Sequence, residues 1–442
     1  MRVLLVQPPF DPTTSKLSAI GIPEPLGLEY IAAAIPDHDV RILDLRVEGS
    51  IEEAIKDFDP RVVGCTAVTA SVKCALALLR AAKKINPEIV TVIGGHHPTL
   101  RPGDCQVEPV DVIVRGEGEN PLAGLVSCVE AGRSFTAVDG IVHRSDGEWT
   151  SNPRGDLVAL DEYRFPARAL TESMRHAYFR VGLGSILSAV SSRGCTRRCH
   201  FCSIWRFHHG KYRRRSPENV VAELASRPEL VLDFMDDDSF GDIKAMERLR
   251  QLVVDELPGR TFRFFVRSDT VVRSPDLFER WAGAGMKYAL VGLESFRDEE
   301  LRDLNKSATA EQNVKALEIL KSVGIGVLGY LIVRPDFTED DFERLGDTVE
   351  ELGILQPVFG TLTPFPGTVL FDQMQDRLVT TDWEHFDGFR AVVETALPRP
   401  EYYRRLADLY RRTYRGTGPA SEGEELPWYE TLARAIELIE EE

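Results

Sequence analysis

The sequence predicts an α/β protein in which two regions of alternating strands and helices are followed by C-terminal helices. Short apolar runs typical of strands alternate with helix-like stretches over residues 1–150 and again over 186–375. This alternation is typical of parallel sheets covered by helices. A third observation is that three cysteines lie within eight residues just after the first strand of the second region. They indicate where the chemistry of the chain is located.

The first region contains five predicted strands (3–7, 39–43, 62–65, 90–94 and 112–115) and four predicted helices (25–35, 51–57, 73–85 and 121–130). Helices on both faces of a parallel sheet make a doubly wound, Rossmann-like fold, which binds ligands at the carboxyl ends of its strands. Glycines in the loops there let the backbone approach a bulky ligand, and hydroxyls can hydrogen-bond to one. Ordinary turn chemistry is an equally valid interpretation of each loop taken singly. The candidate ligand contacts are Pro8, Thr66, Thr69, Ser71, Gly94, Gly95, His96, Gly116 and Gly118.

Residues 151–185 are predicted to form a linker, because their periodicity is weak and prolines recur.

Six strands are predicted in the second region, at 186–191, 230–235, 261–267, 288–292, 326–333 and 358–363. Six strand–helix units fit an open, partial (β/α)6 barrel better than a closed eightfold one. In β/α barrels the catalytic groups lie at the carboxyl ends of the strands. Residues 376–442, with helices at 400–415 and 427–441, are predicted to form a C-terminal helical cap.

The three cysteines are Cys195, Cys199 and Cys202. Three thiolates on a short loop can hold three irons of a 4Fe–4S cluster and leave the fourth iron open, whereas a tetrahedral zinc site needs a fourth ligand. Two alternatives are three buried free cysteines and a zinc site. Zinc would take its fourth ligand from His200, His208 or His209.

The spacing of these cysteines, with Phe201 directly before the last one, resembles the signature of the radical SAM enzymes. The resemblance implies that the open iron binds the amino and carboxylate groups of S-adenosylmethionine. One electron then cleaves the sulfonium and gives a 5′-deoxyadenosyl radical. Cys195, Cys199 and Cys202 are accordingly the predicted catalytic and metal-binding residues.

Strand ends of the second region carry further residues that resemble the S-adenosylmethionine contacts of this family. Acidic groups after the second strand resemble those that receive the methionine amino group, although a helix-capping turn is an alternative. A guanidinium after the third strand suits the methionine carboxylate, and a carboxylate after the fourth suits the ribose hydroxyls. The fifth strand departs from the family, because Arg334-Pro335 stands where relatives usually have a glycine-rich turn. The predicted contacts are Asp236, Asp237, Asp238, Arg267 and Glu294.

The first region resembles the cobalamin-binding domain that precedes the radical SAM domain in one large subfamily. The resemblance rests on the order of elements and on the segments 8–9, 24–28, 94–98 and 115–119. Asp-x-His-x-x-Gly, which supplies a histidine ligand to cobalt in other cobalamin proteins, is absent after the first strand. We therefore expect cobalamin to bind without a histidine from that motif.

The combined resemblance implies a cobalamin-dependent radical SAM methyltransferase that transfers a methyl group through methylcobalamin to an unactivated carbon of a small-molecule or lipid substrate. Two alternatives stay open. One is a cobalamin-dependent radical SAM cyclase or oxidative rearrangement enzyme without methyl transfer. The other is a cobalamin- or cluster-binding sensor that does not catalyse a reaction.

Composition limits the partners. The formal net charge of −17 at pH 7 argues against broad nucleic-acid binding, which depends on neutralising phosphates. Seven cysteines, an odd number and mostly in apolar contexts, favour a reducing cytoplasm over a disulfide framework. Neither a signal peptide nor a membrane-spanning run is evident. We expect an external electron donor such as flavodoxin or ferredoxin.

Overall fold

The computed structural model describes residues 1–9, 21–180, 183–415 and 428–440 of the chain. They form two compact units. The first unit contains residues 1–9, 24–177 and 382–385, and the second contains 21–23, 178–180, 183–381, 386–415 and 428–440. Both ends of the predicted helix 427–441 lie outside the described residues.

Eighteen β-strands occur in the described residues. They are β1 (Arg2–Gln7), β2 (Gly21–Ile22), β3 (Asp39–Asp44), β4 (Val62–Thr66), β5 (Val90–Gly94), β6 (Val112–Val114), β7 (Ile141–Ser145), β8 (Glu148–Ser151), β9 (Phe179–Arg180), β10 (Gly184–Ser185), β11 (Leu187–Ala189), β12 (Ser192–Arg193), β13 (Arg213–Arg214), β14 (Val231–Phe234), β15 (Thr261–Val266), β16 (Met286–Glu294), β17 (Gly326–Val333) and β18 (Gln356–Thr361).

Sixteen α-helices occur in the same residues. They are α1 (Leu26–Ala33), α2 (Ile51–Phe58), α3 (Val72–Ile85), α4 (His96–Leu100), α5 (Glu119–Ala131), α6 (Ile204–Phe207), α7 (Pro217–Ala225), α8 (Ile243–Glu256), α9 (Ser268–Arg273), α10 (Pro275–Gly283), α11 (Asp298–Asp303), α12 (Ala310–Ser322), α13 (Glu339–Glu351), α14 (Val369–Met374), α15 (Arg399–Thr413) and α16 (Trp428–Glu437).

The first unit is built on a seven-stranded sheet in the order β3-β1-β4-β5-β6-β7-β8. Its first five strands are parallel, and β7 and β8 add an antiparallel hairpin at one edge. The chain places β3 on one side of β1 and β4 on the other, so the strand order reverses between β1 and β4. Doubly wound folds bind ligands outside the carboxyl ends of the strands at such a point.

Alternate side chains of the same strands enter two apolar cores. Val3 and Leu5 of β1 pack with α1 and α5, whereas Leu4 and Val6 pack with α2 and α3. Successive residues of a strand point to opposite faces, and a strand covered on both faces is therefore apolar throughout. The continuous apolar sequence of β1 is explained by these two layers of helices.

The second unit contains a six-stranded, fully parallel sheet in the order β11-β14-β15-β16-β17-β18. Strand follows strand in chain order, as in a partial β/α barrel. The small strands β2, β9 and β10 form a separate antiparallel sheet in this unit. Helix α15 belongs to the same core as the barrel strands, where the hydroxyl of Tyr410 donates to Phe359 O at 2.8 Å and accepts from Phe359 N at 2.9 Å.

The predicted fold class is confirmed, with every predicted strand present within a few residues of its expected bounds. The β7–β8 hairpin was not predicted. Residues 152–177, the larger part of the predicted linker, belong to the first unit and include a 3-10 segment at Arg168–Ala177. The predicted domain boundaries at 150, 185 and 375 stay predictions.

Candidate active site

The cysteine loop is closed at its base by the antiparallel pair of β12 and β13. Gly194 lies just inside this base with a φ of 90°, and a Cβ atom there would be 2.1 Å from Lys211 O. Any side chain would therefore force the two ends of the loop apart. This close approach explains the glycine directly before Cys195.

The three thiols occupy one loop but differ in exposure. Cys199 is buried, and Cys195 and Cys202 are half-buried. Arg197 N donates to Cys195 Sγ at 3.5 Å, and burial raises the pKa of Cys195 and raises that of Cys202 to about 12. Soft thiolates are the ligands that iron–sulfur clusters take, and three of them leave one iron of a 4Fe–4S cluster without a protein ligand. The donor set fits such a cluster.

The histidines of the zinc alternative are engaged elsewhere. His200 Nδ1 lies 3.0 Å from Asp303 O, and His208 Nε2 lies 3.5 Å from Asp237 Oδ2. His209 is exposed. Across residues 1–9, 21–180, 183–415 and 428–440, no group of three or more His, Cys, Asp or Glu side chains is arranged to hold a metal ion, and this finding includes the three cysteines of the loop. The fit to a cluster therefore rests on the chemistry of the three thiols and not on their placement.

The acidic turn after β14 holds the base of the cysteine loop. Asp236 accepts hydrogen bonds from Ser191 N at 2.7 Å, Ser191 Oγ at 2.6 Å and Ser192 N at 2.9 Å. Asp237 accepts from Gly194 N at 2.7 Å, and burial raises the pKa of Asp237 to about 6. Both carboxylates are therefore engaged with the loop backbone. The predicted contact of these two residues with S-adenosylmethionine stays a prediction.

Asp238 and Arg267 present unused polar atoms beside the cysteine loop. Asp238 Oδ1 and Arg267 Nη2 are buried and have no hydrogen-bond partner in the described part of the chain. Burial raises the pKa of Asp238 to about 6, and the nearby Arg267 opposes this rise. Arg267 Nε donates to Asp269 Oδ1 at 2.9 Å, and Arg197 Nη2 donates to Asp269 Oδ2 at 2.8 Å. Buried polar atoms without a partner are costly, and a polar ligand would satisfy them.

Glu294 ends β16 in an unusual conformation. Its φ is +60°, where side chains other than glycine are rare, and the pairing with β17 shifts register there. Glu294 Oε1 accepts from Lys306 Nζ at 2.8 Å, and both side chains are buried. A Cβ on Gly292 would lie 2.6 Å from Glu294 Oε1. The ion pair and the missing side chain at Gly292 together fix the direction of this carboxylate.

Glycines at the carboxyl ends of β5 and β6 serve different purposes. A Cβ on Gly95 would lie 2.7 Å from Thr66 Oγ1, and one on Gly118 would lie 2.9 Å from Ile31 Cδ1. A Cβ on Gly94 would lie 3.3 Å from Val114 Cβ. Gly116 has a φ of 90° and nothing within 4 Å of its Cβ position. The backbone is therefore tightly packed at the first three glycines and open at Gly116. The predicted contacts of these glycines with a ligand stay predictions.

Two of the three predicted hydroxyls of this unit bond within the protein. Ser71 Oγ donates to Val68 O at 3.3 Å and accepts from Val68 N at 3.2 Å. Thr69 Oγ1 lies 3.3 Å from His97 Nδ1. Burial lowers the pKa of His96 to about 4, so its imidazole is neutral at pH 7. Pro8 is buried after β1, and its carbonyl accepts from the Gln7 side chain at 3.3 Å.

A segment far along the chain also contributes to the first unit. Residues 382–385 return to it, and the ring centroid of Trp383 lies 5.4 Å from that of His97. Arg101 lies over the same ring at 5.9 Å, and Lys73 Nζ lies 2.5 Å from Asp382 Oδ2. Sequence reasoning missed this segment, and it also missed Arg197, Asp269 and Lys306 as partners of predicted residues. Only Arg197 carried a signal, since it lies inside the cysteine motif.

Two family models match the chain: "B12 binding domain" over residues 16–126 and "Radical SAM superfamily" over residues 190–349. The hopanoid C-3 methylase of Methylococcus capsulatus is 31% identical over 402 residues, which cover 89% of this chain and 76% of that protein. The chain belongs to the cobalamin-dependent radical SAM methyltransferase family. The resemblance found in the cysteine motif and in the first region is thereby confirmed.

Other proteins are similar to this one over most of the chain. The anaerobic magnesium-protoporphyrin IX monomethyl ester cyclase of Rubrivivax gelatinosus is 28% identical, over 94% of this chain and 77% of that protein. The radical S-adenosylmethionine methyltransferase TsrM of Kitasatospora setae, solved with cobalamin and a [4Fe-4S] cluster, has the same fold, with a TM-score of 0.69 at 16% identity over 100% of this chain and 99% of that one. OxsB, solved with aqua-cobalamin and S-adenosylmethionine, also has this fold, with a TM-score of 0.75 at 17% identity. The match covers 93% of this chain and 66% of OxsB.

Family membership confirms the predicted cofactors, which are a 4Fe–4S cluster, S-adenosylmethionine and cobalamin. It also confirms that the protein is an enzyme. No helix among the described residues is long and apolar enough to cross a membrane. The cytoplasmic location stays a prediction.

Proposed function

We propose that the protein methylates an unactivated carbon of a small-molecule substrate. When bound, the cofactors supply a 5′-deoxyadenosyl radical from S-adenosylmethionine and a methyl group from methylcobalamin. The residues of the chain bind and orient these groups and exclude water. The electron comes from an external donor such as flavodoxin or ferredoxin. The proposed substrate class includes lipids.

The observation that carries this proposal is the pair of unused atoms on Asp238 and Arg267. One is an acceptor and the other is a donor, and both are buried within electrostatic range of Cys195. An α-amino acid group needs this combination, because its ammonium donates and its carboxylate accepts. We assign the amino group of S-adenosylmethionine to Asp238 and its carboxylate to Arg267, whose planar guanidinium favours paired hydrogen bonds.

Neighbouring residues position these two contacts. Asp269 bonds to both Arg267 and Arg197, and it therefore links the guanidinium to the cysteine motif itself. Glu294, held by Lys306, is the proposed partner of the ribose hydroxyls. Asp236 and Asp237 are proposed to hold the loop and to act on the cofactor through it.

In the first unit we propose that the corrin lies against the backbone of the glycine loops. Thr99 supports this surface, because its Oγ1 donates to Gly95 O at 2.7 Å and accepts from Gly116 N at 2.8 Å. His96 contributes a neutral imidazole to the corrin periphery. The chain lacks an Asp-x-His-x-x-Gly motif after the first strand, so no histidine of that motif would bind cobalt.

The test is a label transfer that needs no substrate. Holoenzyme is reduced with S-adenosylmethionine carrying a labelled methyl group, and the corrin is then extracted and analysed. We expect labelled methylcobalamin together with 5′-deoxyadenosine. Deoxyadenosine without label in the corrin would favour the cyclase or rearrangement alternative, and the absence of both products would favour the sensor.

A further inference from the structure

The inner face of the barrel sheet carries charged residues where apolar ones are usual. On β14, Leu232 and Phe234 join the core beneath the helices, so Asp233 between them faces the interior of the barrel. On β15, Phe262 and Phe264 join that core, and Arg263 faces the interior for the same reason. Tyr330 of β17 precedes the core residue Leu331 and lies on the inner face too.

One carboxylate in this interior is shared by two guanidinium groups. Asp233 Oδ1 accepts from Arg263 Nε at 2.6 Å, and Asp233 Oδ2 accepts from Arg263 Nη2 and, at 3.2 Å, from Arg180 Nε. The Asp233 side chain is 0% exposed and that of Arg263 is 4% exposed. Two positive charges on one negative charge leave one positive charge uncompensated. Such a charge is expensive where water is scarce, unless an anion accompanies it.

Three hydrogen-bond donors of this group remain unused. Nη1 of Arg263, Nη1 of Arg180 and the hydroxyl of Tyr330 donate to no described residue. Burial raises the pKa of Tyr330, and the phenol therefore keeps its proton and acts as a donor at pH 7. The interior thus offers donors and positive charge together.

This group is separate from the proposed methionine contact. Arg263 lies within β15, and Arg267 lies four residues later, directly after the end of that strand and before α9. At the rise of an extended strand, this separation is about 13 Å. The two guanidinium groups also have different partners, because Arg263 donates to Asp233 and Arg267 donates to Asp269. We therefore treat them as two separate anion sites and assign the anion at Arg263 to a molecule other than S-adenosylmethionine.

We propose that the substrate carries an anionic oxygen group, a carboxylate or a phosphate, which docks on Arg263, Arg180 and Tyr330 inside the barrel. The inference rests on the proposed function, because it assigns the substrate of the same barrel. The anion fixes one end of the substrate and leaves the carbon to be methylated nearer the strand ends. A neutral substrate would leave the positive charge unpaired and is bound more weakly.

The test uses holoenzyme with saturating S-adenosylmethionine and no reductant, titrated calorimetrically with octyl phosphate, octanoate and octanol. We expect one of the two anions to bind at least tenfold more tightly than the neutral alcohol, and the better anion identifies the group. Arg263→Gln should weaken that binding at least tenfold, and Tyr330→Phe about threefold. Asp233→Asn should tighten it several-fold, because it raises the net positive charge. Arg248→Gln, on an exposed ion pair with Glu218, is the matched control and should change nothing.

Arg263→Gln should weaken anion binding and Asp233→Asn should strengthen it. These opposite changes in affinity distinguish a binding site from an ion pair that only supports the fold. If both changes shift affinity in the same direction, or if the alcohol binds as tightly as the anions, the proposal is wrong. Should Arg263→Gln fail to fold, Tyr330→Phe and Asp233→Asn still decide the matter. Deoxyadenosine formation by the wild-type enzyme without added anion tests the proposed function independently.

Discussion

At the carboxyl ends of its strands the first unit presents glycine backbone and internally bonded hydroxyls, whereas the second presents charged side chains with unused atoms. Ser71 and Thr69 have partners within the first unit, but Asp238 and Arg267 keep a buried acceptor and a buried donor. A corrin is large and is recognised mainly by shape, while an amino acid group is small and is recognised by charge. Substitutions should therefore weaken ligand binding through added side-chain volume in the first unit and through lost charge in the second.

The largest expected effect lies in the cysteine loop. Cys199→Ala removes one of three proposed iron ligands and should abolish both the visible absorption of the cluster and reductive deoxyadenosine formation. Cys128→Ala, in the apolar core of the first unit, should keep both signals. Unaffected cleavage of S-adenosylmethionine by Cys199→Ala would contradict the cluster assignment.

The next effect tests recognition by charge. Arg267→Leu should weaken S-adenosylmethionine binding at least tenfold, because a charge-assisted hydrogen bond contributes about 1.5–3 kcal/mol. Arg267→Lys should restore only part of the affinity, since an ammonium cannot form the paired geometry. Equilibrium binding to cluster-loaded enzyme measures both. The exposed Arg280, changed to Gln, serves as the control, and equal affinities for Arg267→Leu and wild type would rule out the assigned contact.

A third experiment tests recognition by backbone shape. Gly116→Ala and Gly132→Ala both place a side chain at positive φ with nothing within 4 Å, so both should cost about 1 kcal/mol of stability. Only Gly116 lies in a loop at the carboxyl end of the sheet, while Gly132 ends α5. Titration with hydroxocobalamin should show about tenfold weaker binding for Gly116→Ala alone. Equal loss in both variants would mean that cobalamin does not lie on this loop.

The smallest effect concerns a buried carboxylate of the first unit. Burial raises the pKa of Glu29 to about 7, with the charge of Glu24 as the second cause. The folded state therefore binds the carboxyl proton of Glu29 more tightly than the unfolded chain does. The stability that this proton contributes is fully present below the pKa of the unfolded chain and is lost as pH rises through about 7. Glu29→Gln should increase the free energy of unfolding at pH 8 by about 1 kcal/mol relative to wild type and by less at pH 6. Urea unfolding at the two pH values measures the difference, and a gain that is larger at pH 6 would refute it.

Local sequence predicted those features that depend on neighbours in the chain. The strands followed from periodicity and the cysteine loop from spacing. Asp238 and Arg267 were singled out by their strand-end positions and by the resemblance to the family, and their contacts with the cofactor stay predictions. The β7–β8 hairpin also had a local signal, because Asp146-Gly147 both take positive φ at its turn and Asp-Gly is typical of such turns. That signal was not used.

Other features depend on contacts between distant residues. The engagement of Asp236 with the backbone of residues 191–192 and the pairing of Glu294 with Lys306 are set by packing of separate elements. No pattern near Trp383 indicates that it contacts His97, 286 positions earlier in the sequence. Such pairings cannot be read from one sequence, because many equivalent side chains could fill each role.

Because residues 382–385 belong to the first unit, this unit can be completed only late in protein synthesis. The ribosome releases the N-terminal sheet early, but Trp383 emerges only after more than four-fifths of the 442 residues have been made. Until then the loop bearing His97 lacks its aromatic neighbour. A nascent chain therefore lacks this contact through most of translation, and the first unit is complete only when the polypeptide itself is nearly complete.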